Sequence, residues 1–476
     1  MSKSLIYRWR YQIGYSCLVL IFAFTLLFLS NTSPGGVTEA EMSSAVGSYE
    51  LGTGNIFSTG ILDAPYKFLQ KASIGVFGLS VFSIKLPSII LAFFTGLGLI
   101  VLLNRWYKSN VAVLASSVVI TSCLFLFSSQ NGTPSIMYIF WPVILLILGS
   151  LIINEEKINP LCPALLSITL GLSLYSPFMI YVVAAIAVSA IIHPHLRFTI
   201  KSIPMVYTAT SLTIFALVIA PLIISTIADI NVLSILLADN NLMNFSVFES
   251  IKTAIMPFVS FNSNLDGAIL TPVFGLTSIT LAVLGLTSSI RERYTAKNYI
   301  LAIWMIFSIL AIALAPDRIA IIFVPITILI ASGIEFVIEK WYSLFPENPY
   351  ARVGGLVPIA LFIAISIFTS VEHYAFGYYY TPQVTKHFND DISLIRSNLQ
   401  DSTVILAPKD SVEYDFYSIL GRQKDIAVVD ETPETINSNL IVLRNAKAEG
   451  AGYQLVNIVT SAKTSNSDRL YIYQSK

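Results

Sequence analysis

Apolar stretches of about the length of a bilayer span recur eleven times along this chain, and they constrain its fold more than any other feature. A transmembrane helix needs about 20 mostly apolar residues. The chain is 55% hydrophobic and 12% charged, whereas a soluble domain carries about 25% charged residues. The pattern therefore predicts a polytopic α-helical membrane protein with about eleven transmembrane helices. The predicted spans are residues 12–30, 84–103, 111–128, 136–153, 161–175, 177–193, 204–227, 268–288, 299–315, 318–338 and 353–371.

Lysine and arginine decide the predicted orientation, because cytoplasmic connectors carry an excess of both. The connectors that lie on the same side of the membrane as the N-terminus hold most of the lysine and arginine residues found in connectors. The N-terminus is therefore predicted to be cytoplasmic, and an odd number of spans places the C-terminus outside. We expect an integral protein of the plasma (cell) membrane with this orientation. The opposite set of connectors, predicted to lie outside, holds only Lys67, Lys71, Lys252 and Arg318.

The spans divide the chain into two predicted domains. Residues 1–375 form a transmembrane domain with a large first outer loop at 31–83 and a second outer loop at 228–267. From about residue 383 the pattern becomes that of a soluble α/β domain, 383–476, outside the cytoplasm. The predicted elements of this domain are strands Val404–Ala407, Ile426–Val429, Leu440–Leu443 and Leu470–Tyr473 and helices Asp390–Leu399 and Val412–Leu420.

Charge and cysteine content argue against several functions. The formal net charge is zero, which argues against a nucleic-acid partner. The three cysteines, Cys17, Cys123 and Cys162, lie within or beside apolar stretches and give neither a disulfide framework nor a metal-ligand spacing. No cofactor is indicated with certainty, and a divalent metal stays possible.

Ionisable residues concentrate in the first outer loop. Glu39, Glu41, Glu50 and Asp63 lie there, followed by Lys67. A long loop with several acids between two spans is where a membrane enzyme would keep its chemistry. A transporter or flippase would instead carry ionisable or broken-helix sites near the bilayer midplane. The placement of the acids favours an enzyme.

Four segments of this region carry a resemblance to a known family. Pro34–Glu41, Ala64–Tyr66, Phe77–Ser80 and Lys85–Ser88 resemble the first outer loop of the polyprenyl-phosphate-sugar-dependent glycosyltransferases. These are the protein O-mannosyltransferase and aminoarabinose-transferase group of the glycosyltransferase-C superfamily. The resemblance implies an inverting transferase that moves one sugar from a polyprenyl-phosphate carrier to an extracytoplasmic acceptor, which is a cell-envelope glycan, lipid or protein. Its partners would be that donor, the bilayer and the acceptor.

The resemblance implies a general base among the loop acids. The family carries Asp-Glu where this chain has Ala40-Glu41, so Glu41 keeps the matching position and is the predicted base. Glu39 and Asp63 are the other catalytic candidates. The local pattern from Thr38 to Glu41 equally fits a capping box, in which Glu41 satisfies a backbone N–H. Asp63 also fits a helix N-cap.

Cations for the departing phosphate are predicted at Arg318 and Lys67. Arg318 follows Pro316 at the outer end of a predicted span, where a helix N-terminus attracts anions and a guanidinium fits phosphate oxygens. The segment from Arg318 to Gly333 resembles the family's late span, whose first arginine binds the lipid phosphate. The alternatives are a pair with Asp317 or a headgroup anchor for Arg318, and a surface lysine for Lys67.

Two departures from the family pattern keep a second function open. Ala40 replaces the first acid of the pair, and the loop Ser129–Ser135 lacks the arginine and second acid that relatives often carry. The alternative is a non-catalytic membrane scaffold or assembly protein that keeps the fold.

The predicted orientation can be tested with single cysteines in a variant without Cys17, Cys123 and Cys162. An impermeant thiol reagent should label positions 55, 263 and 435 in intact cells. Positions 108, 198 and 295 should stay protected until the membrane is opened, because they lie on the lysine- and arginine-rich side. Labelling of position 435 only after opening would contradict the odd number of spans.

Overall fold

A computed structural model of the chain shows mostly long helices, with a small sheet near the C-terminus. The structure describes residues 9–32, 35–52, 59–154, 159–237, 247–260, 268–292, 294–399, 403–409, 411–432, 439–443, 446, 453–461 and 469–475. Parts of both outer loops, and positions 55, 263 and 435 of the labelling test, lie outside the described residues.

The first half of the described chain is helical, and the starts of its helices follow from local sequence. Thr38 and Ser80 each begin a helix with a capping box, in which a side chain satisfies an N–H of the first turn. Pro65 lies in the first turn of another helix, where its missing N–H costs nothing. These helices are α1 Arg10–Thr32, α2 Glu39–Tyr49, α3 Ala64–Phe77, α4 Val81–Trp106, α5 Ser109–Ile120, α6 Cys123–Gln130, α7 Met137–Asn154, α8 Leu161–Ser173, α9 Met179–Ile192, α10 Pro194–Ser202 and α11 Met205–Ala228.

The second half continues with helices and then forms the sheet. The helices are α12 Ile230–Leu237, α13 Val247–Val259, α14 Leu276–Arg291, α15 Ala296–Leu314, α16 Phe323–Leu344, α17 Pro349–Tyr380, α18 Pro382–Thr385, α19 Asp391–Asn398 and α20 Val412–Lys424. Short 3₁₀ helices lie at Thr59–Ile61, Pro134–Ile136 and Pro316–Ile322.

The predicted membrane fold is confirmed. Among the described residues, 7 helices are long and apolar enough to cross a membrane, or up to 9 if each bent pair counts as one span. The bent pairs are α5 with α6, at 60°, and α9 with α10, at 92°. Two shorter apolar helices, α8 and α14, occupy the other two predicted spans. The number eleven stays a prediction.

Three predicted spans differ in shape from the structure. The span at 111–128 is two helices with a break, where Ser122 caps α6. The span at 268–288 begins as helix only at Leu276. The span at 318–338 begins as the 3₁₀ segment Pro316–Ile322, and its α-helix starts at Phe323. A stretch of apolar residues marks membrane depth in the sequence but does not show where the backbone is α-helical.

Helices α14 and α16 cross with their backbones in close contact at two glycines. A Cβ atom at Gly285 would lie 1.9 Å from the carbonyl oxygen of Leu329, and one at Gly333 would lie 2.0 Å from that of Leu281. Small residues at such a crossing let two helices approach closely in a membrane. This contact fixes the position of α16, and therefore of the 3₁₀ segment that precedes it.

The sheet has the strand order β2-β1-β3-β5-β4, with β1 parallel to β2 and β3 and with β5 antiparallel to β3 and β4. Four of its strands overlap the four predicted ones. The strand β4 was missed, because it lies at the sheet edge and most of its residues are exposed, without an apolar alternation. The strands are β1 Val404–Leu406, β2 Ala427–Val429, β3 Leu440–Val442, β4 Tyr453–Thr460 and β5 Arg469–Ser475.

The first outer loop and the C-terminal domain share one hydrophobic core. Met42 and Ala45 of α2 and Ile74 of α3 belong to the same buried cluster as Ile405 of β1 and Phe416 of α20. An isolated antiparallel bridge between Val37 and Asn389 adds two backbone hydrogen bonds of 2.7 and 2.8 Å. The loop helices and the sheet domain therefore form one packed unit.

The helix crossing gives a stability prediction. Replacing Gly285 with Ala should lower the free energy of unfolding by about 1–3 kcal/mol, because the new methyl group meets backbone atoms that cannot rotate away. Thermal unfolding of the purified protein in one detergent measures the effect. Gly149→Ala is the matched control, since a Cβ there meets nothing within 4 Å. Equal melting temperatures for both variants would contradict the close crossing.

Candidate active site

A cavity of about 1140 Å³ lies where the first outer loop, the loop between α6 and α7, the 3₁₀ segment Pro316–Ile322 and the start of the C-terminal domain meet. Four of the five predicted site residues line it, namely Glu39, Asp63, Lys67 and Arg318. The most distant pair in sequence, Glu39 and Arg318, is 279 positions apart. The fold therefore brings the predicted charges together in one place.

Asp63 is the most unusual acid of the cavity. It precedes α3 at the N-cap position with φ of 56°, and its side chain makes no capping hydrogen bond, contrary to the N-cap interpretation. The residue is 8% exposed, and its Oδ1 atom has no hydrogen-bond partner. Burial raises the pKa of Asp63 to about 6, although nearby Arg318, Ser176 and Lys67 act in the opposite direction.

A carboxyl group with this pKa can exchange a proton near neutral pH. Its raised pKa comes from loss of hydration, since the charged form lacks water. Its left-handed backbone conformation is uncommon for a residue with a side chain, and such conformations cluster at functional sites. The unpaired oxygen and the shifted pKa together mark Asp63 as a candidate proton acceptor.

Lys67 lies one turn after Asp63 on α3 and also lines the cavity. Its ammonium group donates to the carbonyl oxygen of Gly60 at 3.2 Å. Burial lowers the pKa of Lys67, and the charge of Asp63 opposes this shift. Lys71, four residues further, donates instead to the carbonyl oxygen of Leu51.

Arg318 lies on the 3₁₀ segment, with φ of −92° and ψ of 26°. Arg318 begins the candidate span Arg318–Leu344, as predicted, but its segment is a 3₁₀ helix and the α-helix starts only at Phe323. The guanidinium donates from Nη1 to the hydroxyl oxygen of Tyr138 at 2.9 Å and lies 5.6 Å from the centre of that ring. The aromatic contact orients a planar cation at the edge of the cavity. The side chain of Asp317, the alternative partner, lies outside the described residues.

Glu39 and Glu41 have different environments although both start α2. Glu39 is exposed and lines the cavity. Glu41 is 0% exposed and belongs to a capping box, in which its Oε2 atom accepts the N–H of Thr38 at 2.7 Å. Its Oε1 atom accepts the N–H of Gly132 at 2.6 Å, and Glu41 does not line the cavity. These contacts favour the capping role, and catalysis by Glu41 is a prediction that they do not support.

Two groups of cavity residues were not predicted from sequence. Tyr138 lies inside an apolar stretch and carries no local signal of a site. The segments Lys386–Asn389 and Ser411–Glu413 come from the C-terminal domain, whose position over the cavity depends on tertiary packing. Only the polar composition of Asn131–Ser135 in a short connector could have indicated a lining role.

The part of the chain that the structure describes contains no ligand set for a metal ion. No group of three or more His, Cys, Asp or Glu side chains there could hold an ion.

The fold matches membrane glycosyltransferases of known structure. The crystal structure of ArnT from Cupriavidus metallidurans bound to undecaprenyl phosphate aligns over 97% of this chain and 98% of that chain, with a TM-score of 0.54 and 11% sequence identity. The chain has the glycosyltransferase-C fold. The fold that the resemblance of the first outer loop implied is confirmed.

Other comparisons agree with the glycosyltransferase-C fold. The oligosaccharyltransferase from Archaeoglobus fulgidus, tethered to an acceptor peptide, aligns over 90% of this chain with a TM-score of 0.54 and 13% identity, and this chain spans 64% of its length. A structure of the archaeal oligosaccharyltransferase AglB from the same organism with an inhibitory peptide and dolichol-phosphate gives a TM-score of 0.52, 13% identity and coverage of 93% of this chain and 70% of that chain. A sequence model described as dolichyl-phosphate-mannose-protein mannosyltransferase matches residues 65–224. A comparison with curated protein sequences gave no match.

Proposed function

We propose that this protein is an integral membrane glycosyltransferase that moves one sugar from a polyprenyl-phosphate carrier to an acceptor outside the cytoplasm. The cavity carries this proposal, because it unites a buried Asp63, whose Oδ1 atom has no hydrogen-bond partner, with the cations Lys67 and Arg318. The similar folds of ArnT, solved with undecaprenyl phosphate, and of AglB, solved with dolichol-phosphate, support a lipid-phosphate donor.

Arg318 and Lys67 bind the donor phosphate in this proposal. A guanidinium offers a planar pair of N–H donors to two phosphate oxygens, and an ammonium adds a point charge. The apolar residues Ile319 and Ala320 follow Arg318 along the cavity wall and suit the first isoprene units of the carrier. Negative charge grows on the phosphate as the bond to the sugar breaks, so both cations stabilise the transition state.

Asp63 acts as the general base. The acceptor hydroxyl gives its proton to the carboxylate, and its oxygen bonds to the anomeric carbon. The bond from that carbon to the phosphate oxygen breaks, and the polyprenyl phosphate leaves with the electron pair. A single displacement of this kind inverts the anomeric centre. Glu39, exposed on the same cavity, is the second candidate for the base.

The orientation follows the basic-residue bias. The cavity would then face the outer side of the cell membrane, with the C-terminal domain over it. Lipid-phosphate headgroups lie at this level of the bilayer, and Lys67 and Arg318, two of the cations that line the cavity, are among the few basic residues of the connectors that are predicted to lie outside.

A non-catalytic scaffold with the same fold is the second candidate function. The absence of an acid at Ala40 and in the loop Ser129–Ser135 favours it. The scaffold predicts that the protein binds polyprenyl phosphate, if at all, without transferring a sugar. The buried acid Asp63, whose Oδ1 atom has no hydrogen-bond partner, favours the enzyme.

Replacing Asp63 with Asn tests the base. A general base contributes roughly 10²–10⁴ in rate, so this variant should lose transfer by that factor while it still binds polyprenyl phosphate. The wild-type value of kcat/KM should rise with pH through about 6, because only the deprotonated carboxylate accepts a proton. The measurement is sugar transfer from synthetic polyprenyl-phosphate sugars in nanodiscs between pH 5 and 8.

Glu39→Gln is the matched variant for this experiment. A larger loss in Glu39→Gln than in Asp63→Asn would assign the base to Glu39. Polyprenyl-phosphate binding without transfer from any donor of the panel, in the wild type, would support the scaffold.

Replacing Arg318 tests the phosphate site. Arg318→Lys keeps the charge but loses the planar fork, so the donor KM should rise roughly tenfold, which corresponds to about 1.4 kcal/mol. Arg318→Ala should raise it further. Lys71→Ala is the control, because Lys71 bonds to Leu51 away from the cavity wall and its donor KM should be unchanged. A normal donor KM in Arg318→Ala would place the phosphate elsewhere.

A further inference from the structure

The side chains of Glu41 and Gln70 bind the two polar backbone groups of Gly132, its N–H and its carbonyl oxygen. Glu41 accepts the N–H of Gly132 at 2.6 Å, and Gln70 donates from Nε2 to its carbonyl oxygen at 2.7 Å. Both side chains are 0% exposed. Hydrogen bonds in such a dry environment are strong, and losing one leaves a buried group unsatisfied.

The same two side chains also hold α2. The second oxygen of Glu41 accepts the N–H of Thr38 at 2.7 Å. The Oε1 atom of Gln70 accepts the hydroxyls of Ser44 and Ser48 at 2.9 and 2.7 Å. Every oxygen of the pair is therefore bonded, and each residue joins α2 to the loop between α6 and α7.

The joined segments are two parts of the cavity wall. Thr38, Glu39 and Ser44 line the cavity from α2 and its cap. Asn131 and Thr133 line it from either side of Gly132. A third part of the wall is connected through Lys85. Its ammonium lies 3.8 Å from Glu41 Oε1 and 5.6 Å from the ring centre of Phe388, which also lines the cavity.

We propose that Glu41 and Gln70 form a clamp, which we define by their two hydrogen bonds to Gly132. The clamp sets the position of the 131–135 loop relative to α2. It thereby sets the shape of the sugar-transfer cavity. This inference deepens the proposed function and rests on it for its kinetic consequences. Glu41 is then a positioning residue, and its carboxylate transfers no proton.

Glutamine cannot replace Glu41 in this clamp. A carboxylate accepts through both oxygens, whereas an amide accepts through one and donates through the other end. In Glu41→Gln the amide NH₂ would face a backbone N–H, either of Thr38 or of Gly132. A simple capping box would tolerate the glutamine, so this substitution separates a two-sided clamp from a cap.

Hydrogen exchange of the purified wild-type and variant proteins in nanodiscs tests the clamp without any need for activity. Exchange at the peptide covering residues 131–136 should accelerate about tenfold or more in Glu41→Gln, because a charge-assisted bond to the Gly132 N–H is lost. Gln70→Met should give the same local change, since it releases the carbonyl side of the same residue. Glu50→Gln, at the other end of α2, should leave this peptide unchanged.

Kinetics then separates positioning from proton transfer. Glu41→Gln and Gln70→Met should each lower kcat about tenfold, with donor KM changed less than about twofold and with the pH midpoint of kcat/KM still near 6. The double variant should lose little more than either single variant, because both disrupt one unit. If Glu41 and Gln70 act independently, the factors by which the single variants lower kcat should multiply in the double variant.

Each outcome decides a separate question. Unchanged exchange at 131–136 in both single variants would overturn the clamp, whatever the activity. Loss of the pH midpoint in Glu41→Gln alone, with normal exchange, would make Glu41 the base. Faster exchange in a protein that transfers no sugar would keep the clamp and reject the proposed transferase. If Glu41→Gln does not fold, Gln70→Met with Glu41 intact still gives the exchange result.

Discussion

The buried carboxylate of Glu41 is the interaction on which the site depends. Burying a charge is costly unless it is paired and fully hydrogen-bonded. Here two backbone N–H groups and the Lys85 ammonium surround a side chain that is 0% exposed, and one of those N–H groups is 91 positions away in sequence. Because removing any partner leaves a charge unsatisfied, the arrangement favours one geometry for α2. In that geometry Thr38 and Glu39 line the cavity.

Two acids of one loop acquire different chemistry from their surroundings. Both carboxylate oxygens of Glu41 accept backbone N–H groups, which gives this side chain a structural role. Asp63 is also buried, but one of its oxygens lacks a hydrogen-bond partner and its pKa rises to about 6. Environments that separate two carboxyl groups in this way usually separate their roles as well. On this basis the proposed catalytic function moves from the acid that matches the family's position to the one that the fold leaves reactive.

The sequence predicted the membrane fold and the charges of the site, but not their mutual arrangement. Apolar length predicted the spans, and the capping pattern at Thr38 predicted the start of α2. The 3₁₀ backbone at Arg318 was not predictable, because Pro316 equally fits the first turn of an α-helix. The partner of Glu41 was not predictable either, since the bond to Gly132 depends on how α2 packs against the loop between α6 and α7. Such contacts between distant residues have no signature in a local pattern.

The shared core of the first loop and the sheet domain affects how the chain is made. Val37 pairs with Asn389, and Met42 packs in one cluster with Phe416, so the partners of an early loop are synthesised more than three hundred residues later. At about 5–20 residues per second, synthesis of that length takes roughly 20–70 s. During this interval the inner faces of α2 and α3 have no sheet domain to bury them. The complete cavity wall therefore forms only after all the long apolar helices have been synthesised.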